Sequence, residues 1–271
     1  MLKAWLSTLK SYFIIYLRFI KNCFIAQMEY RTNFVLGIAV EIAYLFSKLL
    51  YVIVVYKTDL HIGDITPDGI LMFVGTYTIM TGLYAGLFFT NFVRIPDYVR
   101  TGELDLLLVK PISLQFMVSL RYIDLGMPIP NLAAGITMVA IGWNALGIPV
   151  TFYNLCVFAL YLAAALMITY GLMIIPALLS FWFVNTGGLA GIFYAIWDAN
   201  NMPMPIYSRL IQRIGVYVLP FLVITNFAPM TVMGQLDKGL MLWGAAAPIL
   251  LLAAVRLVWN KAIKNYSSAS G

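Results

Sequence analysis

Apolar runs about as long as a bilayer is thick recur along this chain, and they constrain it more than any other feature. A helix crossing the hydrocarbon core needs about 20 apolar residues. Runs of that order lie at 34–56, 70–92, 116–142, 151–175, 177–197 and 240–259. Of the 271 residues, 62% are hydrophobic and 10% charged, where a soluble domain carries roughly a quarter charged. Too little polar surface remains to cover a core in water. The expected fold is an all-α polytopic membrane protein, one domain over 1–271, with six transmembrane helices. The stretch 151–184 is too long for one crossing and is divided at Ile175–Pro176. The third run is broken near "GMPIP", with a kink expected at Pro128 and Pro130.

Residues 1–33 read differently. At about 100° per residue, Lys3, Lys10 and Lys21 share a side, with Arg18 close by. Trp5, Leu6, Leu9, Phe13, Tyr16, Leu17, Ile20 and Phe24 take much of the rest. A basic stripe beside aromatics and aliphatics suits an amphipathic helix lying in the headgroup plane. The basic residues are spread too widely for a cleavable signal. Residues 198–239 are apolar but punctuated by Pro203, Pro205, Pro220 and Pro229. That pattern predicts two short helices dipping in and back out before the last span, covered by protein or facing a vestibule, because broken backbone at membrane depth must be shielded from lipid.

Lysine and arginine counts set the orientation. With both termini inside, eleven lie in inner segments: Lys3, Lys10, Arg18, Lys21, Arg31, Arg94, Arg100, Lys110, Arg121, Lys261 and Lys264. Four lie outside: Lys57, Arg209, Arg213 and Lys238. This bias predicts cytoplasmic N- and C-termini.

No constellation of catalytic residues is present. His61 is the one histidine, and Cys23 and Cys156 are far apart in apolar surroundings, so no metal site is expected. No P-loop, GxSxG or HExxH motif occurs. Glu41 and Lys48, seven apart in the first span, share a face. They read either as an ion or substrate relay or as a structural charge pair facing the bundle or a partner, with Lys48 snorkelling. Arg121 and Asp124, three apart, are placed to pair on a helix.

The densest charge lies in "RIPDYVRTGELDLLLVKPIS", residues 94–113. Pro96 is expected to end the preceding helix, and Gly102 to permit a turn. Lys110–Pro111 should stop any helix begun after that turn. Between them "ELDLLLV" fits about two helical turns, with Glu103 favoured in the first turn and Leu104, Leu107 and Leu108 on one face. Docking on a soluble partner and tucking against the bilayer are both open on these residues alone.

The order of these segments is specific. A basic amphipathic helix and two spans lead to "TGELDLLLVKPIS"; "MPMPIYSRLIQRIGVYVLP" and a last span ending in "NYSSASG" come later. Together they resemble the permease subunits of type-2, exporter-class ABC transporters, in the daunorubicin-resistance-like branch. The resemblance implies an elbow helix at 1–33 and a cytoplasmic loop at 93–113 whose coupling helix, 97–109, seats on an ATPase. It also implies re-entrant outer helices within 198–239. By the same resemblance the docking residues are Asp97, Arg100, Glu103, Leu104, Asp105, Leu107 and Leu108. The partners are a cytoplasmic ABC ATPase dimer and a second permease, identical or similar, in the plasma membrane. ATP and Mg belong to the ATPase; this chain is expected to bind no cofactor, to catalyse nothing itself and to meet no nucleic acid. The competing reading is a secondary transporter or channel without an ATPase, which would need Glu41 as a working relay.

Overall fold

The computed structural model describes residues 2–183 and 185–266, with side chains from Ser7 onward. The side chains of Lys3, Trp5 and Leu6 and the tail from Ser267 lie outside the described residues. Among these residues the structure is helical, with a lone β-bridge between Ile62 and Ile65.

α1 (Leu2–Glu29) turns at Tyr30 into α2 (Arg31–Lys57). α3 (Pro67–Tyr84) continues through a wide π-turn, Ala85–Phe89, into α4 (Thr90–Thr101), and the three form one helix of 35 residues. α5 (Leu104–Leu108) and α6 (Leu114–Leu120) are short. α7 (Pro128–Ala145) and α8 (Phe152–Met173) come next, then α9 (Ile175–Leu179) and α10 (Gly187–Asp198). α11 (Arg209–Arg213) and a second π-turn are bent by 96° from α12 (Phe221–Val232), and α13 (Lys238–Asn265) closes the bundle. Four stretches of helix, Arg31–Lys57, Pro67–Thr101, Phe152–Leu179 and Lys238–Asn265, are long and apolar enough to cross a membrane; the bent pair would make a fifth.

Three sequence expectations change here. The helix over the run 70–92 does not stop at Pro96 but runs to Thr101, with Pro96 inside α4. A proline is tolerated in a membrane helix because neighbouring groups re-satisfy the freed backbone; the stop comes instead from Gly102, left-handed at φ 76°. The run 177–197 is not one helix, since α9 ends at Leu179 and α10 begins at Gly187. Arg121 and Asp124 do not pair, because the chain is not helical between α6 and α7. Asp124 Oδ1 instead accepts from Gly126 and Met127 N–H at 2.8 and 3.2 Å, opening the turn into α7.

The core is a glycine seam. α3 and α7 pack so closely that a Cβ on Gly75 would lie 2.9 Å from the Gly135 carbonyl, and one on Gly135 2.7 Å from the Gly75 carbonyl. Gly82 and Gly142, seven residues on from each, meet the partner helix as closely. Lipid offers no hydrophobic drive between helices, so close backbone packing of small residues holds them. α12 lies against α3 and α8 and is buried from Phe221 to Met230.

The bundle has two unlike ends. At one, tight turns at 58–66, 146–151 and 233–237 join helices, and Thr66, Thr151 and Asp237 cap the next helix. At the other, called here the tip end, lie α1, residues 102–127 and the close of α13.

Candidate functional site

The tip is built on the end of the 35-residue helix. Gly102 reverses the chain, and the single turn of α5 comes directly after it. The 97–109 coupling helix of the sequence reading is therefore two pieces, with Asp97 and Arg100 on the last turn of α4. Their side chains pair at 2.9 Å, both well exposed, a geometry worth little on its own. Glu103 precedes α5, and Asp105 lies within it.

The leucines do not share one outward face. Leu104 is fully buried and Leu107 is 5% exposed, both in the chain's own core. Leu106 is 67% exposed, Val109 79% and Leu108 43%. The expected docking face of Leu104, Leu107 and Leu108 is thus corrected. Two leucines at i,i+3 anchor the turn, and Leu106, Leu108 and Val109 stand out from it.

Two other elements brace this turn. Tyr266, just past α13, packs against the same core and stacks edge-on with Phe181. Its phenol stands above the ordinary tyrosine pKa, through burial first and then the nearby Asp105 carboxylate. From α1, Tyr12 Oη accepts the Ser113 N–H at 2.9 Å, and Tyr12 packs edge-on against Phe116.

Beyond α6 the chain runs extended between two helices, and its backbone groups are satisfied from both sides. From α1, Cys23 Sγ meets Arg121 C=O and Ile123 N–H at 3.5 and 3.4 Å. Gln27 donates to Ile123 C=O at 2.7 Å and accepts from Leu125 N–H at 3.1 Å. From α4, Asn91 donates to Tyr122 C=O at 2.6 Å and accepts from Tyr122 N–H at 2.9 Å. The π-turn contributes the Gly86 carbonyl, which accepts the Asp124 N–H at 3.0 Å. Sequence reasoning missed this clamp. Its signal was Asn91 at the end of the apolar run 70–92, beside an unexplained break; Gln27, in a helix already rich in polar residues, gave none.

α1 consequently has three sides. Tyr12, Tyr16, Phe19, Cys23 and Gln27 face the bundle, half-buried. Leu9, Phe13, Leu17 and Phe24 are exposed on a second side, and Lys10, Arg18 and Lys21 on a third.

A cleft of about 520 Å³ opens between α4, α9 and α10. Tyr84, Phe92, Phe193 and Tyr194 line it, with Asp97 and Arg100 among its polar residues. The structure thus gives that ion pair a place beside a cavity that the sequence did not suggest.

Glu41 and Lys48 lie elsewhere. α2 touches the bundle through a seam spaced four and three: Phe34, Ile38, Glu41, Leu45, Lys48, Val52 and Val55. Glu41 is buried and accepts from Asn131 Nδ2 of α7 at 2.6 Å. Lys48 Nζ reaches Thr78 Oγ1 of α3 at 3.5 Å and sits 4.9 Å from the Tyr77 ring centre. Among the described residues the two charges do not come within 4.0 Å of each other, and each ties α2 to a different helix.

The proline-rich segment is held by a buried polar set that the sequence reading also missed. Asn226 Oδ1 accepts from Met204 N–H at 2.6 Å, and Thr225 Oγ1 lies 3.2 Å from Asn200 C=O. Pro203 and Pro205 flank Met204, and Pro205 packs against Gly63 in the first tight turn. Pro220 stands at the 96° bend and Pro229 within buried α12.

Among the described residues no group of three or more His, Cys, Asp or Glu could hold a metal. No curated protein and no solved structure matches the chain. The model of the ABC-2 family transporter protein matches residues 42–270. That match covers most of the chain, from within α2 through α13. It agrees with the apolar helices and with an integral membrane position, and the family implies a partner ABC ATPase. The chain therefore belongs to the ABC-2 transporter family, as a membrane transport permease.

Proposed function

We propose that this permease is the membrane half of an ATP-driven exporter, and that its ATPase seats on the tip at residues 102–110. The observation that carries this reading is the tip's division of labour. Leu104 and Leu107 are sunk in the core, while Leu106, Leu108 and Val109 project from a turn braced by α1 and α13. Exposed apolar side chains beside Glu103 and Lys110 suit a protein surface. Force applied there meets the 35-residue helix directly, with no flexible joint beyond Gly102.

On this reading ATPase closure moves that helix against α9 and α10 and changes access to the 520 Å³ cleft. Asp97 and Arg100 act at the cleft rather than at the ATPase. The clustering of Lys10, Arg18, Lys21, Arg31, Arg94, Arg100, Lys110, Arg121, Lys261 and Lys264 toward the tip end supports a cytoplasmic tip and termini. α1, with its apolar and basic sides both exposed, lies as an elbow in the inner leaflet. The bent α11–α12 pair is the outer re-entrant segment: α12 lies against α3 and α8, and Trp243 of α13 donates its indole N–H to Val216 C=O in the bend at 2.8 Å. The exposed apolar face of α2 meets lipid or a second permease, and the daunorubicin-resistance-like branch, the plasma membrane and the two-plus-two assembly complete the proposal.

The test is co-purification of the partner ATPase with a Leu106→Asp, Val109→Asp double variant. The expected result is loss of at least tenfold in bound ATPase while the permease remains folded. Retention of the ATPase at the parental level would refute the docking surface. The rival secondary-transporter reading requires Glu41→Gln to abolish transport while tip variants do nothing.

A further inference from the structure

A second cleft, of about 430 Å³, lies where α1 turns into α2. Gln27, Tyr30, Asn33, Thr90 and Arg94 give it polar groups, and Phe34, Gly37 and Met127 an apolar wall. The apolar side continues along α2 into open space, since a Cβ built on Gly37 would meet nothing within 4 Å. Val35, Leu36 and Val40 nearby are exposed.

Tyr122 lies in the same wall, and two guanidinium groups gather on its ring. Arg94 Cζ is 4.0 Å from the ring centre and Arg121 Cζ 5.3 Å. Among the described residues neither arginine has a carboxylate within 4.0 Å. The acidic residue lining the cleft, Asp124, accepts the Gly126 and Met127 N–H groups through Oδ1. Two cations beside one tyrosine ring, Arg94 in the cleft wall and Arg121 next to Tyr122 in the chain, have no anion of their own at a groove with an apolar floor, and describe half of an ionic contact.

We infer that this cleft binds one anionic phospholipid, with its phosphate at Arg94, Arg121 adding positive charge from beside the Tyr122 ring, and an acyl chain along Phe34, Gly37 and Met127. The inference rests on α1 lying along a leaflet, as proposed above. A bound lipid there touches α1, α2, α4 and the extended segment at once. It would fill the joint between the interfacial helix and the clamp on residues 121–125.

The test uses full-length permease, delipidated and titrated with phosphatidylglycerol or phosphatidylcholine, with bound lipid counted by native mass spectrometry. Phosphatidylglycerol should occupy one site at least tenfold more tightly than phosphatidylcholine. The Arg94→Gln, Arg121→Gln double variant should weaken it about thirtyfold, roughly fivefold for each lost charge near the surface. Gly37→Phe, which fills open space and leaves both arginines intact, should also empty the site. Equal binding of the two lipids, or binding unchanged in both variants, would overturn the proposal. Displacement of phosphatidylglycerol by millimolar inorganic phosphate would overturn it too, marking an ion site instead of a lipid site. Because ATPase docking is read separately, the lipid site can fail while docking stands, and the reverse.

Discussion

α2 and the 35-residue helix are neighbours of opposite character. α2 is the more apolar of the two, yet only 17% of its most apolar window is buried, against 78% for Pro67–Thr101. In water the order would be reversed. Here the solvent is hydrocarbon, so an apolar helix such as α2 can face outward, while the helix carrying Thr76, Thr78, Asn91 and a row of glycines belongs inside. α13 repeats the rule, apolar and 22% buried. Hydropathy alone does not rank burial in this molecule: Phe152–Leu179 is as apolar as α2 yet 56% buried, and in the α3–α7 seam small residues decide which helices pack inside.

That contrast orders the consequences of substitution. The largest effect should come from the seam: Gly75→Leu forces a side chain into the Gly135 carbonyl and should cost on the order of 3 kcal/mol. Loss of monodisperse protein in size-exclusion chromatography, or a sharp fall in Tm, is the expected reading. Next comes the polar tie of α2. Asn131→Leu leaves the buried Glu41 carboxylate without its 2.6 Å donor and should cost about 1–3 kcal/mol, measured by thermal unfolding in detergent. Gln27→Leu removes two bonds to the extended segment and should cost about 1 kcal/mol. Its sharper signature is faster hydrogen exchange at the Leu125 amide, with the α3–α7 amides unchanged. The smallest effect belongs to the outward face of α2, where Leu36→Ala should change stability by less than about 0.5 kcal/mol. A large loss there, or a shift in oligomeric state, would show that this face meets protein instead of lipid.

How much of this was legible beforehand depended on which physics the residues obeyed. Runs at 34–56, 151–175 and 240–259 coincide with helices Arg31–Lys57, Phe152–Met173 and Lys238–Asn265, because length and hydrophobicity act locally. Pro96 misled, since the helix carries this proline inside it to Thr101 and stops only at left-handed Gly102. The break after α6 was visible, but its partners were not: Gln27 and Ile123 are 96 residues apart, and nothing in either stretch announces the other. At the tip the residues were named from sequence and their orientation was not. "ELDLLLV" offers apolar side chains on every side of one turn, and packing against the assembled core, beside α4 and α6, puts Leu104 and Leu107 inside. The glycine seam, with Gly75–Gly82 and Gly135–Gly142 both spaced by seven, could have been found by looking for small residues at matching intervals in two apolar runs.

The most direct test of the docking proposal is site-directed cross-linking of the assembled transporter in membranes. Single cysteines would replace Leu104, Leu106 and Val109 in turn, with the parental chain, which carries Cys23 and Cys156, as background. A short thiol–amine reagent should join positions 106 and 109 to the ATPase and leave 104, buried in the core, unreacted. Cross-linking from 104 alone, or from none of the three while the ATPase remains bound, would contradict the assignment of the tip.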